Sequence, residues 1–259
     1  MDAVQKLSAI AALIKAVDVE DFKSTLSRLL QDGADGEALV AHDDRALPRL
    51  LAAHKEGTWL QVLFDSGLMD QRAMVAALGA LAHWDRYDLF REVFSRLPEG
   101  FDTRELISGL SYFNDTHDLR QRIEMMTDLG LLSLQDTEAP MTEALMSCVA
   151  TQKSIEGLKL LVSHGYPAGG RGSFPLRMSA WYSEDPLDAA FFIERGARVE
   201  DRGFNAIRGA LSCEHYPVVN YLLTQTAALF DDIKVLVGYH TDGPDWDHFE
   251  EWRQSLSVA

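Results

Sequence analysis

A glycine recurs along this chain at a nearly constant interval, each time after an apolar helical stretch. The copies are Gly33, Gly67, Gly100, Gly130, Gly165 and Gly196, and they are spaced by 34, 33, 30, 35 and 31 residues. Glycine ends a helix in the left-handed conformation at low steric cost, and a period of this length is typical of stacked helical units. The sequence therefore predicts a helical repeat protein, with a last unit that ends near Thr226 without the glycine.

Each unit is predicted to be a helix, a turn and a second helix. In the unit ending at Gly165, residues 154–164 place apolar side chains on one broad helical face. The preceding stretches at residues 72–82, 103–113, 141–151 and 205–212 are rich in alanine and leucine. Small side chains let two helices approach closely, so we expect these first helices to stack on one another.

Two stretches near the C-terminal end carry a family resemblance. Residues 174–180 read Phe-Pro-Leu-Arg-Met-Ser-Ala, and residues 191–199 read Phe-Phe-Ile-Glu-Arg-Gly-Ala-Arg-Val. They resemble an ankyrin repeat, whose first helix opens with Thr-Pro-Leu-His-x-Ala-Ala and whose second helix ends with three leucines, two residues and Gly-Ala-Asp-Val. Phe174 replaces the family threonine, Arg177 replaces its histidine, and Glu214 replaces the glycine before His215. The resemblance is strongest over residues 174–226.

The resemblance implies an all-α, ankyrin-like helical repeat solenoid of about seven helix-turn-helix units with N- and C-terminal capping helices. We expect a single elongated domain over residues 1–259, with an N-terminal capping helix at 1–18, repeats at 19–227 and an acidic cap at 228–259. No window approaches the roughly 18 apolar residues of a membrane span. Cys148 and Cys213 form no disulfide framework, which favours a reducing cytoplasm.

The net charge of −16, from 40 acidic and 24 basic residues, argues against nucleic-acid binding, which needs clustered Lys and Arg. The acidity either keeps the protein soluble or attracts a basic partner. Acids are dense between residues 231 and 251, where Lys234 is the single base. They are Asp231, Asp232, Asp242, Asp245, Asp247, Glu250 and Glu251.

Candidate catalytic patterns are weak. The glycine-rich loop at residues 165–173 lacks the lysine of a phosphate-binding loop and is interpreted as a finger between repeats. The histidines and acids at residues 240–248 match no established metal loop and are interpreted as a turn leading into a capping helix over residues 245–255. No serine lies in a glycine-flanked elbow. We therefore expect no catalytic residue, no metal and no cofactor.

Aromatic residues accompanied by acids fall near the turn between the two helices of successive units. They either fill the core between repeats or form a ridge of anchors for a partner rich in Arg and Lys. With the acidic tail, the predicted partner-binding set is Trp84, Tyr87, Tyr112, Phe113, Trp181, Tyr182, Glu184, Asp185, Asp245, Asp247 and Glu250.

These features predict a non-enzymatic protein-binding module. Its sharper form is an immunity-type or inhibitor protein that masks a basic partner, such as a toxin or a nuclease. The alternative is a scaffold, adaptor or effector that joins two partners through separate surfaces of the array. We expect a monomer when unbound, with neither nucleic acid nor membrane as a partner.

Overall fold

A computed structural model describes residues 3–54, 57–84, 86–97, 106–111, 115–238 and 246–256. All regular secondary structure in these ranges is helical, which confirms the predicted all-α class. Contacts between Cα atoms divide the chain into two compact units, Met1–Leu131 and Leu132–Ala259. Among the described residues, no helix has both the length and the apolar character needed to cross a membrane.

The first six helices of unit 1 form three successive pairs, and helices of neighbouring pairs also pack on one another. Its helices are α1 (Ala3–Ile14), α2 (Val19–Gln31), α3 (Gly36–His54), α4 (Gly57–Asp65), α5 (Gln71–His83), α6 (Tyr87–Phe94), α7 (Ile107–Ser111) and α8 (Thr116–Asp128). The first helices form the row α1, α3, α5, α7, while α2 packs on α4 and α6 packs on α8. Stacking of the first helices, predicted from their small side chains, is thus confirmed in this unit.

Unit 2 repeats the arrangement. Its helices are α9 (Pro140–Thr151), α10 (Ile155–Ser163), α11 (Gly170–Tyr182), α12 (Pro186–Ile193), α13 (Asp201–Ser212), α14 (Tyr216–Thr224), α15 (Phe230–Gly238) and α16 (Trp246–Leu256). The helices α11, α13 and α15 pack in a row, and the second helices α10, α12 and α14 pack in another. The predicted helices at 141–151, 154–164 and 245–255 agree with α9, α10 and α16 to within one or two residues.

The recurring glycine has the backbone conformation that the sequence predicted. Gly33, Gly67, Gly130, Gly165 and Gly196 all have positive φ, between 69° and 110°. After α10, for example, Gly165 N–H donates to Val162 O at 3.1 Å and Tyr166 N–H donates to Leu161 O at 3.0 Å. These two bonds are those of a Schellman motif, which satisfies the last carbonyls of a helix. Gly100 lies outside the described residues.

The residue four positions before the glycine anchors four of these turns in the core. Leu63, Met126, Leu161 and Phe192 occupy this position before four of the glycines, and all four side chains are fully buried. The carbonyls of Met126, Leu161 and Phe192 each accept the longer hydrogen bond of the turn. The same residue thus fixes both the packing of the second helix and the path of the chain that leaves it.

Left-handed backbone also occurs at residues other than glycine. Lys153 and Glu214, which end the first helices α9 and α13, have φ of 55° and 59°. The segments 171–173 and 202–204, at the beginnings of α11 and α13, each contain three consecutive left-handed residues. Right-handed helix therefore starts at about residues 174 and 205, where the sequence predicted first helices to begin.

Candidate functional site

The turns between the first and second helices present two exposed aromatic side chains. Trp84 is the C-cap of α5 and is 52% exposed, with its ring edge-on to His83 at a centroid distance of 5.4 Å. Tyr182 is the last residue of α11 and is 39% exposed. The two side chains therefore hold corresponding positions, one in each unit, and each lies at the solvent boundary.

Other aromatic residues of the predicted set pack inside the units. Tyr87 is only 8% exposed, and its hydroxyl donates to the carboxylate of Asp118, so it belongs to the core and not to an exposed ridge. Trp181 is half-buried against α13, where a Cβ added to Gly209 would overlap the indole ring. For these two residues the structure favours the core-filling interpretation. Tyr112, Phe113 and Asp245 lie outside the described residues.

Acids and one base surround Tyr182. Glu184 and Asp185 follow it in the turn and are exposed, although Asp185 also caps α12 by accepting from Leu187 N–H at 2.9 Å. The ammonium of Lys153, from the preceding turn, lies 5.3 Å from the centroid of the Tyr182 ring. A cation over an aromatic face is attracted by the ring quadrupole. The Tyr182 ring thus already holds one cation of this chain beside two exposed carboxylates.

Helix α16, in the C-terminal part of unit 2, carries Asp247 and Glu250 of the predicted set and covers a cluster of buried aromatic side chains. In α16, Trp246 and Phe249 are buried against Phe230 and Tyr216, with ring centroids 5.4 and 6.0 Å apart. Asp247 of this helix is exposed, and Glu250, four residues after Trp246, accepts from Lys234 Nζ at 2.5 Å. These contacts fit the predicted capping helix.

The described residues favour neither metal ligation nor thiol chemistry. No group of three or more His, Cys, Asp or Glu side chains there could hold a metal ion, although His240, Asp242 and Asp245 of the predicted tail grouping lie outside them. Cys148 and Cys213 are half-buried and form no disulfide. Burial raises the pKa of the Cys213 thiol, and the nearby charge of Lys153 opposes this shift only in part. The thiol is therefore held protonated rather than activated as a nucleophile.

Three side-chain hydrogen bonds that the sequence did not predict link one helix pair to a neighbouring helix pair. Arg86 Nη1 donates to Ala52 O at 2.6 Å, Arg122 Nη2 to Ala82 O at 2.5 Å, and His215 Nδ1 to Ala180 O at 3.1 Å. Each acceptor lies in the last turn of a first helix, where carbonyls lack helical partners and cations are favoured. The only available signal was His215, which the family resemblance had already aligned.

Arg122 also forms a buried charge pair. Its side chain is fully buried, and its Nε donates to Asp118 Oδ1 at 2.6 Å while Asp118 accepts from the Tyr87 hydroxyl. A buried charge is tolerated when it is paired and hydrogen-bonded. This network fixes α8 against α6 and the end of α5, so its role in unit 1 is structural.

Comparisons with protein-family models, with curated proteins and with solved structures found no match to this chain.

Proposed function

We propose that this chain is an ankyrin-like helical repeat solenoid that binds another protein and catalyses no reaction. Three long-range polar contacts support the repeat assignment because they join residues about one period apart. Ala52 and Arg86 are 34 residues apart, Ala180 and His215 are 35, and Tyr87 and Asp118 are 31. Contacts confined to neighbouring repeats are the physical signature of repeat architectures.

The observation that carries the binding proposal is an exposed aromatic side chain at the same turn position in each unit. Trp84 and Tyr182 would anchor a partner, because large aromatic side chains supply much of the energy at interfaces. Exposed Asp88 follows Trp84 in the chain, and Glu184 and Asp185 follow Tyr182. Carboxylates beside an anchor would raise the association rate of a basic partner.

The partner we propose is a basic protein that this chain masks, as an immunity protein or inhibitor masks a toxin or a nuclease. The net charge of −16 supports this choice, because a field of that sign attracts cationic proteins and repels polyanions. The surface offered is preformed by rigid helices, so little conformational entropy is lost on association.

Affinity capture with the full chain tests this proposal. We expect a protein with positive net charge to be retained and then released between about 50 and 500 mM salt, because the Debye length falls over that range. Truncating an anchor costs on the order of 2 kcal/mol at a hot spot, so Trp84→Ala or Tyr182→Ala should weaken capture about thirtyfold. The control Leu229→Ala removes an apolar side chain of unit 2 that is even more exposed, at 70%, but lies outside the turns between first and second helices.

Glu184→Lys tests the electrostatic part, since it reverses one exposed charge beside Tyr182. We expect slower association with little change in dissociation. Retention of neutral or acidic proteins only, or binding that Trp84→Ala, Tyr182→Ala and salt all leave unchanged, would reject the proposal.

The division into two compact units, each with its own exposed aromatic residue, supports a second candidate, a scaffold that joins two proteins. The same variants separate the candidates. An inhibitor should lose affinity for one partner with either variant, whereas a scaffold should lose one partner with Trp84→Ala and a different one with Tyr182→Ala.

A further inference from the structure

Helix α15 closes the row of first helices in unit 2. It packs on α13, as α13 packs on α11, whereas α16 lies against Tyr216 of α14 and against Phe230 at the start of α15. Ile233 and Val237 of α15 are buried, and because they are four positions apart they lie on one face of the helix. The opposite face of α15 is where a further first helix would pack if the row continued.

This outer face of α15 combines apolar and acidic side chains. Val235 and Leu236 are 63% and 50% exposed, and Asp231 and Asp232 are exposed as well. Residues three or four positions apart are neighbours on a helix surface. Asp232 therefore lies beside both apolar side chains, and Asp231 lies beside Val235. We call these four residues the α15 patch.

The neighbouring helix α16 shows a different outer surface. Its exposed residues before Leu256 are all polar, and they are Asp247, His248, Glu251, Arg253, Gln254 and Ser255. The terminal helices of repeat arrays turn a polar face outward, because an apolar end would reduce solubility. A valine and a leucine side by side on the outer face of α15 therefore indicate a surface that a partner covers.

The charge of the α15 patch is negative. Neither Asp231 nor Asp232 forms an ion pair with a described residue. The base of α15, Lys234, instead donates to Glu250 Oε1 of α16 at 2.5 Å. This hydrogen bond raises the pKa of Lys234 most, burial opposes the shift, and the negative charges of Asp247 and Asp231 add to it. Lys234 thus pairs with an acid outside the patch, and the patch keeps two negative charges.

We propose that the α15 patch binds a basic amphipathic helix of a partner protein. The apolar stripe of that helix packs on Val235 and Leu236, and its Lys or Arg side chains pair with the two aspartates. A helix fits this position because each helix of the row packs its face on another helix.

The charge of the patch decides which kind of helix it accepts. Carboxylates beside an apolar surface attract a helix with basic flanks and disfavour one with acidic flanks. A second copy of this chain fits poorly, since it would bring the same two aspartates and a net charge of −16 to the patch. The inference goes beyond the proposed function, because none of the four residues lies in a turn between a first and a second helix.

Titration of a fluorescein-labelled helical peptide with the full chain, followed by fluorescence anisotropy, tests the α15 patch. The peptide carries leucine at positions i, i+3, i+4 and i+7 and lysine on both flanks. Its control has the same composition with the leucines scattered around the helix, so that no apolar stripe forms. We expect saturable binding of the first peptide and much weaker binding of the control.

Two apolar positions of the patch provide variants. Leu236→Gln should weaken peptide binding about three- to tenfold, because the exposed half of this leucine would no longer be buried by the peptide. Glutamine forms helix nearly as well as leucine, so the fold should persist, which circular dichroism verifies. Val235→Thr, which replaces a methyl group by a hydroxyl, should also weaken binding. Leu187→Gln changes an exposed leucine of α12 in the same unit and is the matched control, which should bind like the wild type.

Asp232→Asn tests the charge of the patch. It should weaken binding at about 100 mM salt, and its difference from the wild type should shrink at about 1 M, where the Debye length is only about 3 Å. A difference that is absent at both salt concentrations would reject the basic character of the partner helix.

Several results would overturn the proposal. The scattered peptide would have to bind as well as the first one, or Leu236→Gln and Val235→Thr would both have to bind like the wild type. Light scattering that shows a dimer of the wild type and a monomer of Leu236→Gln would assign the patch to a second copy instead. Tyr182→Ala, which tests the proposed function, should leave peptide binding unchanged, so the two proposals can fail separately.

Discussion

Replacing Gly130 by alanine isolates the conformational role of the recurring glycine. Gly130 has φ of 69°, and no heavy atom lies within 4 Å of a Cβ built at this position, so no clash contributes. The left-handed conformation costs an L-residue about 1–2 kcal/mol. Alanine also reduces the entropy of the unfolded chain, which returns about 0.4–1 kcal/mol. The net loss should be about 1 kcal/mol, or about 2–4 °C in the melting temperature.

Urea unfolding followed by circular dichroism measures this difference. Gly130→Ala should lower the midpoint at an unchanged slope, which marks a change in stability alone. Gly130→Asn should cost less, because asparagine tolerates the left-handed region better. Glu214→Gly should act in the opposite direction and stabilise by up to about 1 kcal/mol, since Glu214 has φ of 59°. Equal midpoints for the alanine and asparagine variants, or destabilisation by Glu214→Gly, would refute this reasoning.

Three further perturbations test the packing. Arg122→Met leaves the buried carboxylate of Asp118 without its charge partner and should lower the free energy of unfolding by about 3–5 kcal/mol. Adding Asp118→Leu should recover most of this loss, and no recovery in urea unfolding would count against the pair. Gly209→Ala should force the Trp181 ring to move, which a shift in its fluorescence maximum would report, and unchanged emission would contradict the packing. Burial lowers the pKa of Lys159, but its hydrogen bonds to Asp188 and Glu156 outweigh this and hold the pKa above the ordinary value. The contribution of these ion pairs to the free energy of unfolding is therefore present at neutral pH and is lost as pH rises through the folded pKa of Lys159. The difference in urea midpoint between wild type and Lys159→Met should shrink at high pH. A constant difference would argue against the ion pair.

The fold was predictable where local chemistry decides the backbone. Gly165 and Ser154 bound α10, because glycine closes a helix cheaply and the serine hydroxyl accepts from Gly157 N–H at 3.0 Å. The left-handed conformations of Lys153 and Ser173 were not predictable in the same way. Such residues disfavour positive φ on their own. Their conformations therefore depend on packing and hydrogen bonds between neighbouring helix pairs, which no single segment of the sequence reveals.

The candidate surface was less predictable than the helices, since one residue type serves both core and surface. Trp59 and Trp84 both lie close to where a first helix gives way to a second, yet Trp59, in α4, is buried 5.1 Å from Phe22, whereas Trp84, the C-cap of α5, is 52% exposed. Helical periodicity locates an apolar face, but it does not say whether a neighbouring helix or solvent lies opposite a residue at the end of that face. Only the position of the next helix pair decides this.

The net charge of −16 does not show that acidic and basic side chains lie at different ends of the first helices. The acids beside Tyr182 lie in the turns between first and second helices, whereas Arg177 and Arg202 lie at the opposite ends of the first helices. Long-range attraction depends on the total charge, while short-range selection depends on local bonds.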